Sequence, residues 1–272
     1  MIKITFHKFL SLASIFIMLV SSCKKEPLPK PQIDYKVFSY KSKVIGEEYL
    51  LPIYFPENYD TNKRYPVLYT LDGNTNFLIV AEKVKNAIKN KEIPPHLVVG
   101  IGYPDENKRN RDYTPIYVKD DGEGKVADFF KFITTELIRV IETNFSADTG
   151  RLNRAITGHS YGGIACLYGM FNHQETFSKF IIGSPSLWYG DNIFFQYERE
   201  YYENNKNLRA KVYIGMGGFE EGWMEPLFFE FTKRLKERNY PDLYIMTKMY
   251  PKEDHTSVFP IEIEEGVRYV LK

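Results

Sequence analysis

The stretch RAITGHSYGGIACLYGMF (residues 154–171) decides the fold of this 272-residue chain. It begins with a short strand-like run, continues into a G-x-S-x-G pattern centred on Ser160, and ends in an apolar segment with helical spacing. A strand that turns this sharply into a helix holds the serine in a strained backbone, and Gly158 and Gly162 let the two elements pack closely. The stretch therefore predicts a nucleophile elbow, with a glycine-rich structural turn as the alternative.

Strand and helix signals alternate outward from this stretch. Two early runs, 35–40 and 49–55, are predicted to pair as antiparallel strands because Gly46 and Glu47 offer a short turn between them. The later predicted strands are 67–71, 97–101, 155–157, 180–182, 211–215 and 243–249, and the predicted helices are 77–88, 126–141, 162–171, 192–202, 225–238 and 261–271. This alternation predicts an α/β fold: a mostly parallel central sheet with antiparallel N-terminal strands and helices on both faces.

A serine hydroxyl needs an adjacent base, and in folds with this elbow the partners follow in the order Ser, acid, His. Of the five histidines, only His255 lies in the loop between the last strand and the last helix, so it is the predicted base. The acid is expected in the loop after strand 211–215, where Glu220 is the first choice for orienting the imidazole. Glu221, and a Ser–His dyad without an acid, remain open alternatives.

An acyl-transfer site also needs donors for the oxyanion, which are usually two backbone N–H groups. The residue directly after the nucleophile, Tyr161, is predicted to supply one of them. The other is expected from the loop after strand 67–71, with Gly73 or Asp72 as the donor. A tight turn at this Asp-Gly pair is compatible with both assignments.

Several short motifs of the sequence form a recognisable set. They are YTLDG (69–73), VVGIGY (98–103), RNRDYTP (109–115), GHSYGG (158–163), SPS (184–186) with Trp188, and Asp254-His255. Together they resemble the “Putative esterase” family of α/β-hydrolases, which includes esterase D, feruloyl esterases, mycolyltransferases and enterobactin esterases. The resemblance runs from about residue 35 to the end and implies the α/β-hydrolase fold and a serine esterase. Glu220 stands where many relatives have aspartate.

The combination of RNRDYTP with GHSYGG is most similar to the siderophore-esterase branch of the family. This likeness implies that Arg109 and Arg111 hold an anionic substrate or shape the rim of the site. A structural ion pair between Arg111 and Asp112 is an equal alternative. Trp188 is a candidate for substrate contact, although its segment also fits an ordinary loop and helix.

These features predict a carboxylic ester hydrolase that works through an acyl-enzyme, on siderophore-type or polysaccharide-linked esters. The alternatives are an acyltransferase of the same fold, and a surface lipoprotein that binds a ligand without turnover. No cofactor or metal is predicted, because the sequence has no CxxC pair or HExxH motif. A net charge of +1 without a long basic run argues against nucleic-acid binding.

The N-terminus has the pattern of an export signal. Basic Lys3 and Lys8 precede an apolar run over 9–20, which is shorter than the roughly 20 residues a membrane span needs. VSSC (20–23) resembles a bacterial lipobox, so Cys23 is predicted to carry a lipid. A secreted soluble protein is the alternative.

The predicted organisation has three parts. Residues 1–22 are a signal peptide, 23–34 are the lipidated cysteine and a Pro-rich tether, and 35–272 are the catalytic domain. We expect an exported protein that is anchored to a bacterial membrane, on the periplasmic side or at the cell surface.

Overall fold

The computed structural model describes residues 33–272, and its core is one eight-stranded sheet. The strands are β1 (Tyr35–Lys41), β2 (Glu48–Tyr54), β3 (Val67–Thr70), β4 (Leu97–Gly100), β5 (Tyr117–Val118), β6 (Gly122–Glu123), β7 (Arg154–His159), β8 (Lys179–Gly183), β9 (Ala210–Gly217) and β10 (Leu243–Tyr250). The sheet order is β1-β2-β4-β3-β7-β8-β9-β10, and β5 and β6 form a separate hairpin.

Strand directions match the expectation from the sequence. β1 pairs with β2, and β2 with β4, in antiparallel register, while the pairs from β4 to β10 are parallel. Parallel strands need crossover connections, which here are mostly helical. The predicted α/β fold with a mostly parallel sheet and antiparallel N-terminal strands is confirmed.

Helices cover both faces of the sheet. They are α1 (Phe77–Lys89), α2 (Arg109–Asp112), α3 (Val126–Phe132), α4 (Ile138–Asn144), α5 (Tyr161–Asn172), α6 (Tyr189–Asn204), α7 (Met224–Glu237) and α8 (Phe259–Val270). Successive residues of a strand point to opposite faces. Accordingly, Ile156 packs in the larger apolar cluster with residues of α3 to α7, whereas the adjacent Ala155 packs in the smaller one with α1 and α8.

Two predicted helices differ in detail from those in the structure. The predicted helix 126–141 is interrupted by a π-helical turn at Ile133–Leu137, whose apolar residues stay buried, so the periodicity alone did not reveal it. The predicted helix 192–202 begins earlier, at Tyr189, and its first turn contains left-handed residues from Gly190 to Asn192. A glycine followed by Asp and Asn tolerates such a backbone, which explains the irregular start.

The predictions for the N-terminus fall outside the described residues. This applies to the signal peptide, to lipidation at Cys23 and to nearly all of the tether. Within residues 33–272, no helix is long and apolar enough to cross a membrane.

The carboxyl ends of the parallel strands bring the predicted functional residues to one edge. β7 ends at His159 immediately before the predicted nucleophile, and the loops that follow β9 and β10 carry Glu220 and His255. Crevices at this edge are where open α/β sheets bind ligands.

Candidate active site

The elbow at Ser160 has the strained geometry that its glycines predict. Ser160 lies between β7 and α5 with φ 60° and ψ −117°, a region that L-residues rarely occupy. Its N–H donates to the carbonyl oxygen of Gly183 at 3.0 Å. A Cβ on Gly158 would lie 2.3 Å from the carbonyl oxygen of Gly162, so a side chain there would separate strand from helix. The structure thus presents the hydroxyl at a tight strand-to-helix turn.

Glu220 and His255 are in direct contact. Oε2 of Glu220 lies 2.7 Å from Nδ1 of His255, and the Glu220 side chain is fully buried. Its other oxygen, Oε1, accepts hydrogen bonds from Ser184 Oγ at 2.5 Å and Gly217 N at 2.8 Å. Nε2 of His255 makes no hydrogen bond within residues 33–272, and a general base uses the ring nitrogen that its carboxylate partner does not hold.

The pKa of Glu220 is below its usual range. Burial raises this pKa, but the hydrogen bonds from His255, Ser184 and Gly217 lower it by more, because each stabilises the ionised carboxylate. Glu220 is therefore an anion at neutral pH, the form that holds an imidazole in one tautomer. Glu221, the competing candidate, has no side-chain hydrogen bond to His255 among the contacts of the described residues.

The contact between the serine and the histidine is less complete than that between Glu220 and His255. Ser160 Oγ lies 3.3 Å from Ser186 Oγ, and within residues 33–272 it makes no hydrogen bond to a histidine ring. His255 lies nearby all the same, since its ring centroid is 4.5 Å from that of His159, the neighbour of Ser160. The acid–base contact is thus formed, whereas the base–nucleophile contact is not. Catalytic hydrogen bonds often tighten only when substrate binds.

The structure does not support Gly73 as an oxyanion donor. Its N–H donates to the carbonyl oxygen of Ile101 at 2.8 Å, and the N–H of Asp72 donates to Tyr113 Oη at 2.8 Å. The next residue, Asn74, has a backbone N–H without a hydrogen-bond partner in the described part of the chain. A turn whose amides are partly consumed by its own packing cannot be recognised from the sequence.

Tyr161 remains a geometrically suitable donor. It is the first residue of α5, so its N–H has no acceptor within the helix. Its phenol donates to Asp121 in the β5–β6 turn, and burial together with that carboxylate raises the pKa of Tyr161. The side chain is thus held away from the nucleophile while the backbone amide stays available.

The two arginines have different environments. Arg109 forms hydrogen bonds with both Asp72 oxygens, at 2.9 and 3.3 Å, and its side chain remains 26% exposed beside the elbow. The guanidinium of Arg111 donates hydrogen bonds to Asp112, Glu47 and the Tyr49 hydroxyl. Arg111 therefore forms the ion pair with Asp112 that was the structural alternative, while Arg109 borders the site.

An aromatic wall stands beside the elbow. The ring of Trp188 lies 6.0 Å from that of Tyr161 and 5.3 Å, edge to face, from that of Trp223. Trp223, which is 48% exposed, was not predicted from the sequence, because it precedes α7 with no motif around it. Such partly exposed rings can stack against an aromatic or planar ligand.

The described residues were compared with the arrangement that a metal ion needs. Within residues 33–272, no group of three or more His, Cys, Asp or Glu side chains is arranged to hold an ion. The absence of a metal or cofactor stays a prediction from the sequence.

An elbow serine, a buried carboxylate and an imidazole at the carboxyl edge of this sheet define the class of α/β-hydrolases. The chain belongs to the “Putative esterase” family, whose model matches residues 42–255. It is thus an ester hydrolase by family.

Known relatives support this assignment. The chain is 26% identical to the siderophore triacetylfusarinine C esterase of Aspergillus fumigatus, covering 89% of this chain and 94% of that protein. It is 27% identical to the ferri-bacillibactin esterase BesA of Bacillus subtilis, covering 76% and 79%. Among solved structures, the BES protein from Bacillus cereus is similar with a TM-score of 0.78 and 29% identity, covering 91% and 99%.

Proposed function

We propose that this esterase is a serine hydrolase that cleaves siderophore-type carboxylic esters through an acyl-enzyme. The observation that carries the proposal is the 2.7 Å contact between the buried Glu220 and His255 at the same sheet edge as the Ser160 elbow. A buried, ionised carboxylate that holds one imidazole nitrogen makes the other nitrogen a base with a defined direction. A ligand-binding surface would not need that arrangement.

The reaction would proceed in two halves. In the first, His255 Nε2 takes the hydroxyl proton of Ser160, Oγ bonds to the ester carbon, and the amides of Tyr161 and Asn74 hold the oxyanion. Collapse breaks the ester C–O bond, and His255 returns the proton to the leaving alkoxide. In the second half, a water gives its proton to His255 and attacks the acyl-enzyme, which releases the acid and restores Ser160.

The substrate class comes from the relatives together with the rim. Two relatives are named for the siderophores triacetylfusarinine C and ferri-bacillibactin. The rim of this site offers one partly exposed cation, Arg109, and the aromatic pair Trp188 and Trp223. Such groups suit the anionic or planar iron-chelating parts of a siderophore while its ester bond lies at Ser160.

The proposal is tested by labelling the purified full chain with a fluorophosphonate and locating the adduct by mass spectrometry. We expect one adduct on Ser160, which is lost in Ser160→Ala and strongly reduced in His255→Ala. Ser186→Ala is the matched control, because Ser186 carries the hydroxyl nearest to the nucleophile and should leave labelling intact. A folded wild-type chain that stays unlabelled would contradict the proposal and favour a binding role.

Substrate choice is tested separately from serine reactivity. Hydrolysis of a ferric siderophore ester and of a feruloyl polysaccharide should be followed by mass of the products, with and without added alcohols. We expect free acid from the siderophore and no acylated alcohol. Transfer to the alcohol would instead identify an acyltransferase.

We also propose that the chain is exported and anchored by a lipid on Cys23. The basic residues, the apolar run and the VSSC sequence before the tether support it. Membrane fractionation of wild type and Cys23→Ala, with the mass of the mature N-terminus, checks this. Release of Cys23→Ala from the membrane is expected, and equal partitioning of both chains would contradict the anchor.

A further inference from the structure

A second imidazole–carboxylate pair lies against the first. Nδ1 of His159 is 2.6 Å from Oε1 of Glu262, and the ring of His159 is 4.5 Å from the ring of His255. The Glu262 side chain is fully buried, and that of His159 is 12% exposed. Neither residue has a role in the reaction described above.

The Glu262 carboxylate occupies space that side chains of the sheet would otherwise fill. Glu262 belongs to α8, and its side chain reaches the ends of two central strands where both have glycine. A Cβ on Gly183 would lie 1.8 Å from Oε1 of Glu262, and one on Gly215 would lie 3.0 Å from Oε2. Two strand positions without side chains are thus needed to bring Glu262 to His159.

Burial of the Glu262 carboxylate costs free energy, which is unexpected for a residue without a function. Its Oε2 makes no hydrogen bond within residues 33–272, although burying an incompletely paired carboxylate is costly. A hydrophobic residue on this face of α8 would fill the same space beside Phe259 and Ile263 without that penalty. The pair therefore points to a requirement at the site rather than to stability.

We propose that His159 and Glu262 form a positioning pair for the catalytic base, in which Glu262 fixes the ring of His159 and that ring packs against the ring of His255. This inference rests on the proposed function, because it assigns a task relative to the proposed base. His255 is then held by a carboxylate on one nitrogen and by a second ring on one side. The arrangement limits the orientations that the His255 ring can adopt.

The charges around His159 support its protonated form. Burial lowers the pKa of His159, but the charge and hydrogen bond of Glu262 raise it by more, and Glu220 and the backbone of His255 add to the increase. The other charged group in contact is Arg109, whose Nη2 donates to the carbonyl oxygen of His159 at 3.3 Å. These contacts therefore favour the protonated form of His159 more than water does.

The test is the split between kcat and KM for a chromogenic ester, measured on the full chain and on Glu262→Gln. Loss of the carboxylate removes the contact that fixes the ring of His159, so the ring of His255 loses a fixed neighbour. We expect kcat to fall by about tenfold with little change in KM. Values that coincide with those of wild type would overturn the proposal.

A matched control separates this effect from lost stability. Glu198 is also fully buried and bonds Arg238 at 2.7 Å, between helix α6 and the residue that follows α7. Glu198→Gln should destabilise the fold similarly yet leave kcat and KM in place. If both variants lower kcat equally, the pair has only a structural role and the inference fails.

A second readout does not depend on turnover. In the Ser160→Ala chain, NMR signals of the His255 ring should change in chemical shift once Glu262→Gln is added, and unchanged signals would refute the inference. If Glu262→Gln does not fold, His159→Asn replaces it in both measurements. Absence of Ser160-dependent turnover in wild type would instead refute the proposed function, so the two failures are distinguishable.

Discussion

The two imidazole–carboxylate pairs differ most in how their carboxylates are satisfied. Glu220 accepts three hydrogen bonds over its two oxygens, including one from the hydroxyl of Ser184. Glu262 bonds only the ring of His159, and its second oxygen has no partner within residues 33–272. A fully satisfied carboxylate stays ionised and fixed whether or not its imidazole is protonated. That independence is what a proton-shuttling base requires.

The two rings also differ in their access to solvent and substrate. The His255 side chain is 36% exposed, whereas that of His159 is 12% exposed and faces the interior. A substrate can therefore reach the ring of His255, whereas the ring of His159 is largely shielded. The two side chains are chemically identical. The supporting contacts and the exposure of each ring therefore decide which imidazole is the base.

Removing each ring in turn should give the largest difference in activity between the two pairs. We expect His255→Ala to lower kcat/KM by about 10⁴-fold or more, because the serine loses its proton acceptor. His159→Asn should lower it by only about tenfold at pH 7, since the base remains but loses a positioning contact. Steady-state assays with one ester measure both. Equal losses would show that His159 belongs to the proton-transfer machinery itself.

Removing the acid of the first pair should have the next largest effect. Glu220→Gln keeps the shape but removes the charge that orients His255, so kcat should fall by about 10³-fold with little change in KM. Glu221→Gln is the matched control, because it changes the adjacent carboxylate. A small effect of Glu220→Gln would favour the Ser–His dyad that the sequence left open.

A smaller effect should come from the hydroxyl that supports the acid. Ser184→Ala removes the 2.5 Å hydrogen bond to Oε1 of Glu220. A hydrogen bond to a charged group contributes about 1.5–3 kcal/mol, so kcat should fall by roughly tenfold or more. Ser186→Ala, two residues away, provides the control in the same assay. If Ser184→Ala matches wild type, the Gly217 amide alone suffices for Glu220.

The smallest expected difference is in stability against pH, where the two pairs should show opposite signs. The lowered pKa of Glu220 gives stability that is present above its unfolded value, about 4.3, and lost as pH falls through the folded value. The raised pKa of His159 gives stability that is complete below about 6.5 and lost as pH rises through the folded value.

These slopes are checked by denaturant unfolding of wild type, Glu220→Gln and Glu262→Gln between pH 4 and 9. The advantage of wild type over Glu220→Gln should shrink toward pH 4. Its advantage over Glu262→Gln should shrink as the pH rises through the raised folded pKa of His159, because the ring then loses the proton that Glu262 stabilises. Parallel curves for both variants would mean that neither pair changes its protonation on folding.

Much of the sheet and the first pair could be predicted because local signals marked them. Ser160 is flanked by elbow glycines, His255 follows from the order of the elements, and Glu220 comes from the loop after one strand. Glu262 could not be found this way, because it lies in the amphipathic helix α8, where its spacing is that of an ordinary helical residue. Only the register of α8 against Gly183 and Gly215 brings it to the site.

The oxyanion donors and the arginines at the rim of the site were also difficult to predict from the sequence. The Asp-Gly turn after β3 was recognised, but the turn's own hydrogen bonds decide which of its N–H groups is free, and those excluded Gly73. Arg111 was left with two roles because the sequence could not show its contacts with Glu47 and Tyr49, which lie far from it along the chain. Long-range contacts, rather than local propensity, account for what the sequence could not predict.

The left-handed backbone of Ser160 has a consequence for how this protein can evolve. A non-glycine residue in such a conformation costs about 1–3 kcal/mol, and glycine avoids most of that strain. Genetic drift to glycine at position 160 would therefore strengthen the fold while removing the hydroxyl. In a lineage freed from selection for activity, we expect the serine to disappear before the sheet changes. A descendant with Gly at this position beside an intact His255 would record that history.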